Sequence, residues 1–286
     1  MAYRIITDTC CDFPQDMYAQ LQLIQVPLSI TFRGSEYFNF TEAEIKEVYD
    51  GLRNGEVAQT SAVNPDSWAK YMEPVLEAGD DLLALVFSSG LSTTYQSARI
   101  AAEELKEKYP ERKIAVVDTL CASMGQGLLV YYACKKRDEG MNLETLTAWC
   151  EANKLNLCHW FTVDDLMYLK RGGRVSAATA LVGTMLQIKP VLHVDDEGHL
   201  IKVGTARGRK GSLEALIQKV EQTAIPGEND VMFVSHGDCA EEAERVAALL
   251  KERCGAKEVV ISYVGAVIGS HSGPGTMAVF FMGKQR

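Results

Sequence analysis

Two short apolar runs limit what this chain can become. LLALVFS (Leu82–Ser88) and KIAVVD (Lys113–Asp118) have strand length and no polar alternation, so each reads as a strand buried on both faces. Between them a polar SSGLS turn opens a helical pattern ending near Tyr109, and SMGQGLLVYYACKKRDEG repeats that helix after the second run. Strand–helix–strand at this spacing requires right-handed crossovers and a parallel sheet covered by helices on both faces. YRIIT (Tyr3–Thr7) and VPLSITF (Val26–Phe32) read as further strands. A helix from Thr41 carries a capping box in Thr41 and Glu44 and closes on Gly55. The next has Asn64 as its N-cap and Pro65 at its first position.

After about residue 155 the pattern changes. PVLHVDDEGHLIKVGTA (Pro190–Ala206) predicts an antiparallel hairpin. Helices near Leu213–Thr223 and Ala240–Cys254 then alternate with strands at Val231–Ser235, Val259–Tyr263 and Met277–Met282. The expected fold class is α/β with two domains. Residues 1–155 would form a parallel-sheet α/β/α domain, and 156–286 an α+β domain with a mixed or antiparallel sheet. The boundary falls between about residues 150 and 160, with no repeat, low-complexity tract or long linker.

Composition narrows the function. The 286 residues are 47% hydrophobic, enough for a substantial core. A net charge of −9 argues against coating nucleic acid. The eight cysteines form no CxxC or other paired ligand spacing, and the chain opens straight into a strand rather than a leader segment. Reduced thiols and a cytoplasmic location are the expectation. No run matches GxxxxGK[ST], GxSxG or HExxH, and GQG at Gly125–Gly127 falls far short of a dinucleotide fingerprint.

What remains is a set of hydroxyl-rich segments: TDTCCDFP (Thr7–Pro14), QTSAVNP (Gln59–Pro65) and SSGLSTTYQSA (Ser88–Ala98). In an open parallel sheet, ligands bind at loops leaving the carboxyl ends of strands, and hydroxyls at helix N-termini there suit an anion. Each segment alone is equally explained by helix capping. GSHSGPG, near the end, sets His271 among Gly269, Gly273 and Gly275, where it either fills a turn or meets a ligand. Two basic turns, LKRGGRVS (Leu169–Ser176) and TARGRKG (Thr205–Gly211), are either solvated loops or a docking patch for an acidic partner or anionic surface.

TDTCCDFP, TSAVNP, SSGLSTTYQSA, VDTLCASMGQG, DDLMYLKRGGRVS, LQIKPVL and GSHSGPGT, in that order, resemble the bacterial DegV family over essentially the whole chain. The resemblance implies a two-domain fatty-acid-binding protein with no catalytic turnover of its own. It would present the acid to the separate catalytic subunit of a fatty acid kinase, which makes acyl phosphate from ATP. It places the carboxylate at Thr60, Ser61, Ser92, the N–H of Thr93, and His271. The family commonly has glycine where this chain has Thr93. Arg174 and Arg207 fall at positions similar to basic docking residues, for the kinase or a transient membrane-surface contact. The bound fatty acid is the ligand, no cofactor or metal is implied, and a monomer is expected. Tunnel walls are expected on Val182–Leu192, including Leu186 and Ile188, and at Phe161 and Val163. The alternative is a hydrolase or transferase acting on a small anion, with Ser92 or Ser61 as nucleophile and His271 as base.

Overall fold

The computed structural model describes residues 2–176, 187–284 and 286. The parallel sheet forms as the buried runs require. Strands β1 (Tyr3–Asp8), β2 (Ile24–Val26), β6 (Asp81–Val86) and β7 (Ile114–Asp118) lie in the order β2-β1-β6-β7, all parallel. Side chains alternate across β6. Leu82, Ala84 and Val86 meet α3 (Pro65–Glu77) and α4 (Thr94–Lys108) through Trp68, Met72 and Ala98, whereas Leu83 and Leu85 face α5 (Met124–Asp138) and α6 (Leu143–Asn153). A short helix, α1 (Gln15–Gln20), follows the first loop.

The run expected as one strand over Val26–Phe32 divides at Pro27. Val26 ends β2, and β3 (Ser29–Phe32) enters a separate antiparallel sheet, β4-β3-β5, with β4 (Ser35–Tyr37) and β5 (Gln59–Ser61). Proline has no N–H for a ladder, so the chain changes sheets there. This small sheet packs on α2 (Glu42–Arg53), whose Thr41–Glu44 capping box forms as expected.

The second large sheet has six strands in the order β10-β9-β8-β13-β11-β12. Its members are β8 (Leu157–Thr162), β9 (Ile188–Val194), β10 (Leu200–Arg207), β11 (Val231–His236), β12 (Glu258–Tyr263) and β13 (Met277–Met282). The pairing is antiparallel except for β11 with β12, so the sheet is mixed. Helices α8 (Gly208–Thr223) and α9 (Ala240–Cys254) cover one face through Leu216, Val220, Val246 and Leu250. Helix α8 begins at Gly208, so the basic turn expected at Thr205–Gly211 is mostly strand end and first helical turn. Between β8 and β9 lies α7 (Met167–Arg171), and α10 (Ala266–Ser272) precedes β13.

The other face of the mixed sheet meets α5. Phe161, Phe233, Ala278 and Phe280 share one apolar cluster with Leu128, Leu129 and Val130 of α5 and with Leu83 and Leu85 of the parallel sheet. Helix α5 is therefore buried between two sheets. Gly125 permits this approach, because a methyl there would lie 2.0 Å from His159 Nε2 of β8. A second tie is Arg286, whose buried guanidinium donates to the carbonyls of Leu120, Lys154, Leu157 and Asp195. All eight cysteines are free thiols. No helix among the described residues is long and apolar enough to cross a membrane.

Gly125→Ala should lower unfolding stability by about 1–3 kcal/mol, since the methyl must displace either the imidazole or the helix. Urea denaturation of both proteins checks this; an unchanged midpoint would show that α5 and β8 can part without cost.

Candidate functional site

A cavity of about 470 Å³ opens between the carboxyl ends of the parallel strands and the inner face of the mixed sheet. That volume lies within the range of about 300–1,000 Å³ usual for small-molecule sites. Thr60, Ser61, Ser92, Thr93 and His271 all line it. Ser61 and Thr93 are exposed and mark its mouth; Phe161, Ala278 and Phe280 are buried and form its inner wall.

Each polar side chain has a local reason for its place. Thr60 sits on β5, opposite Ile30 of the small sheet. Its Oγ1 lies 2.8 Å from His271 Nε2. His271 is in the last turn of α10, so the polar segment expected to be a turn is a short helix followed by Gly273 with φ 79°. Gly172, in the basic turn after α7, lets the imidazole come close: a methyl there would lie 2.2 Å from Nδ1. Gly269, Gly273 and Gly275, the glycines set around His271, do not open the backbone to a ligand. They are instead packed by Tyr49, Tyr168 and Asp164.

The hydrogen bonds set which protons are available. Thr94 Oγ1 accepts from Val63 N and lies 2.8 Å from Ser92 Oγ, which also accepts from Thr94 N. With Thr94 O–H donating to Ser92, the Ser92 proton is free to point into the cavity. Likewise, with His271 Nε2–H donating to Thr60, the Thr60 proton is free. Two hydroxyls whose lone pairs are engaged by the protein thus offer their protons to an acceptor. Burial, then the nearby Arg174 guanidinium, pushes His271 down to about 4, so its imidazole is neutral at physiological pH.

Arg174 lines the cavity. Its guanidinium is half-buried and donates to Leu91 O at 3.1 Å and to Gly172 O. The sequence reading assigned it to docking and missed this inward position. Arg207 is exposed at the start of α8 and does not line the cavity. Of the expected tunnel residues, Phe161 lines the wall, while Val163 lies in the neighbouring core and Ile188 in β9 away from it. Leu186, with the rest of 182–186, lies outside the described residues.

Sequence reasoning also missed Ser123, His159, Ser235, Ser272 and Thr276, all buried in the wall. Ser123 Oγ bonds Asp12 Oδ2 at 2.6 Å and Ser235 Oγ at 3.0 Å. Asp8 binds Cys10 N, Phe87 N and the Gln126 amide, joining the loops after β1 and β6. His159 Nε2 accepts from Ala122 N, and burial beside Arg286 holds it well below the usual histidine range. The usable signal was position: Asp8, Ser123 and Ser235 stand at or just beyond strand ends, where an α/β sheet carries its ligands.

Two packed sheets enclose a largely apolar cavity with a hydroxyl-rich mouth, an α/β architecture whose site has the polarity pattern of an amphipathic small molecule. A family model described as an uncharacterised protein of the DegV family matches residues 2–284, and this chain belongs to the DegV family. It is 43% identical to a DegV domain-containing protein of Clostridium perfringens, over 99% of this chain and 98% of the relative. Among solved structures it resembles a fatty-acid-binding DegV family protein of Thermus thermophilus, with 33% identity, TM-score 0.84, and coverage of 98% and 99% of the two chains. It also resembles a DegV lipid-binding protein of Thermotoga maritima, with 29% identity and TM-score 0.86 over the full length of both.

Burial pushes Asp12 up to about 7, against hydrogen bonds from Ser123 and Gly265 N. Between about 4, the unfolded value, and that point the folded protein keeps a proton the unfolded chain has lost. This contribution to stability therefore falls as pH rises through that window. Asp12→Asn removes the titration, so wild-type stability minus variant stability should fall from pH 4 to 7 and level off above. Urea midpoints across that range check it; a flat difference would mean Asp12 is not held protonated.

Proposed function

We propose that this chain binds a long-chain fatty acid and presents it to a separate fatty acid kinase. The carboxylate would lie at Thr60, Ser61, Ser92, the N–H of Thr93, and His271, with the acyl chain running along Phe161, Ala278 and Phe280. The observation that carries this reading is that five residues from three separate elements meet at the mouth of one cavity whose interior is mainly apolar. It is supported by the fatty-acid binding of the Thermus thermophilus relative.

The physics divides the work. Each buried methylene stabilises binding by about 0.8 kcal/mol, so roughly fourteen supply an upper bound of about 11 kcal/mol, reduced by the cost of association. The tail gives most of the affinity and the head group fixes position. The Thr60 and Ser92 protons and the N-terminus of α4 favour an anion without a bidentate ion pair. Arg174 adds positive potential from the wall while two of its five N–H groups serve Leu91 and Gly172. A carboxylate held this way keeps a lone pair for the kinase's phosphoryl transfer, in which an acyl C–O–P bond forms and ADP leaves. The ligand is the fatty acid itself, and no cofactor is needed.

The Ser–His alternative is less well served. Among the described residues His271 bonds Thr60, Ser92 bonds Thr94, and neither Ser92 nor Ser61 is hydrogen-bonded to the imidazole.

Organic extraction of the purified protein followed by mass spectrometry should release a long-chain fatty acid. A protein that yields no fatty acid on extraction and takes none up after stripping would overturn the reading. His271→Ala and Thr60→Val should each weaken fatty-acid binding by about tenfold or more, as expected on losing a hydrogen bond to a charged group.

The kinase step has its own test. With catalytic subunit, ATP and Mg²⁺, acyl phosphate should be trapped by hydroxylamine. Arg207→Glu should lower kcat/KM for that reaction without changing fatty-acid Kd, whereas Arg174→Glu should change both. Equal activity of Arg207→Glu and wild type would remove Arg207 from docking.

A further inference from the structure

The inner wall of the cavity is more polar than an alkyl chain requires. Ser123 precedes α5, Ser235 lies on β11 and Ser272 ends α10; all three are at most 5% exposed and line the same cavity. The Ser272 hydroxyl is buried with no hydrogen-bond partner among the described residues. Thr276 Oγ1 donates to the Ser272 carbonyl, and the Thr276 carbonyl accepts from Gly237 N, two residues beyond Ser235. The segments of Ser235 and Ser272 are thus tied together through Thr276, and all three residues line the cavity. An unpaired buried hydroxyl costs free energy that an alanine in its place would avoid.

We propose that Ser235 and Ser272 form a second polar station inside the cavity, which takes a hydroxyl carried part-way along the acyl chain. On this reading, which rests on the fatty-acid-binding function above, the protein accepts hydroxylated long-chain fatty acids as well as plain ones. Ser272 is free both to donate and to accept. Ser235 ends the chain Asp12–Ser123–Ser235. When Asp12 is ionised, Ser123 donates to it and Ser235 donates to Ser123, leaving Ser235 lone pairs toward the cavity. When Asp12 holds a proton, the chain can run the other way and Ser235 offers its O–H.

A ligand hydroxyl, being donor and acceptor, matches either state; a keto oxygen only accepts and matches one. The ionisable groups around Asp12 are Asp8, Cys10, Cys11, Tyr18 and Tyr49, with Tyr263 across the small surface pocket that Asp12 also lines. None is a cation, and the histidines next to the two serines, His236 and His271, are both held below the usual range by burial, so the station suits a neutral oxygen rather than a second carboxylate.

The test is competition binding to the lipid-stripped protein, using octadecanoic acid and its monohydroxy derivatives with the hydroxyl moved along the chain. One stretch of positions should bind within about threefold of the plain acid, while a hydroxyl set against apolar wall should bind tenfold or more weaker. Ser272→Ala and Ser235→Ala should each weaken the favoured isomer about tenfold more than they weaken octadecanoic acid, with urea unfolding showing that the variants are folded. The proposal is overturned if every hydroxylated isomer is rejected alike, or if the variants weaken plain and hydroxylated acids equally. If octadecanoic acid itself does not bind, the fatty-acid reading fails first and this station with it.

Discussion

The structure depends on one close contact, that of α5 with β8. A helix can lie between two sheets only if both of its faces are apolar and its backbone can approach them. Gly125 meets His159 on one side, and Gly127 meets the Cys11 carbonyl and the Phe13 ring on another. The consequence is a single apolar cluster running from Leu83 and Leu85 to Phe161 and Phe280. Beyond the N-terminal end of α5 the sheets are no longer filled by side chains, and the cavity is the space left there. His159 is fixed by the same contact: neutral, with Nε2 accepting from Ala122 N and Nδ1 placed to donate to Leu157 O. The feature that joins the sheets thus also shapes the deep wall of the site.

On the proposed function the mouth answers to a different constraint, the need to attract an anion without capturing it too firmly. Burial and Arg174 keep His271 uncharged, so the imidazole acts through the direction of its hydrogen bond rather than through charge. With Nε2–H as the donor it engages the Thr60 oxygen and frees the Thr60 proton; Thr94 does the same for Ser92 when its own hydroxyl donates. Two of the five Arg174 N–H groups are held by the carbonyls of Leu91 and Gly172, which fix the guanidinium in the cavity wall, where its positive charge raises the potential an anion would meet.

Much of this was legible in the sequence where a local rule and the tertiary structure agree. Leu82–Val86 and Ile114–Asp118 had to be buried strands, and Thr41 with Glu44 had to start a helix, because each requirement is met within a few residues. Pro27 shows the opposite case: the apolar run around it continued, but the missing N–H moved the chain into another sheet. Thr60, Ser61, Ser92 and His271 were found because hydroxyls cluster visibly in sequence and because the ordered motifs resemble one family. Ser123, Ser235 and Ser272 were not, since single serines in three distant segments acquire meaning only when β11, α5 and α10 converge. Arg174 was assigned to docking because it falls at a position similar to basic docking residues of the family, and nothing local says that its guanidinium turns toward Leu91.

The two glycines of LKRGGRVS make the same point in the other direction. Gly172 carries no chemistry, yet the imidazole of His271 occupies the space where its side chain would stand. The segment that supplies the cavity's guanidinium therefore also seats its imidazole, and the two cannot be varied independently. A larger residue at Gly172 would push His271 off Thr60 and, through Thr60, redirect the proton that an anion would meet. Electrostatics at the mouth is in this sense set by packing: the distance between Arg174 and His271 follows from how closely the turn after α7 lies against α10. Tyr168 fixes that distance from the other side, its ring filling the space beside Gly273 while its hydroxyl holds the Leu52 carbonyl of α2.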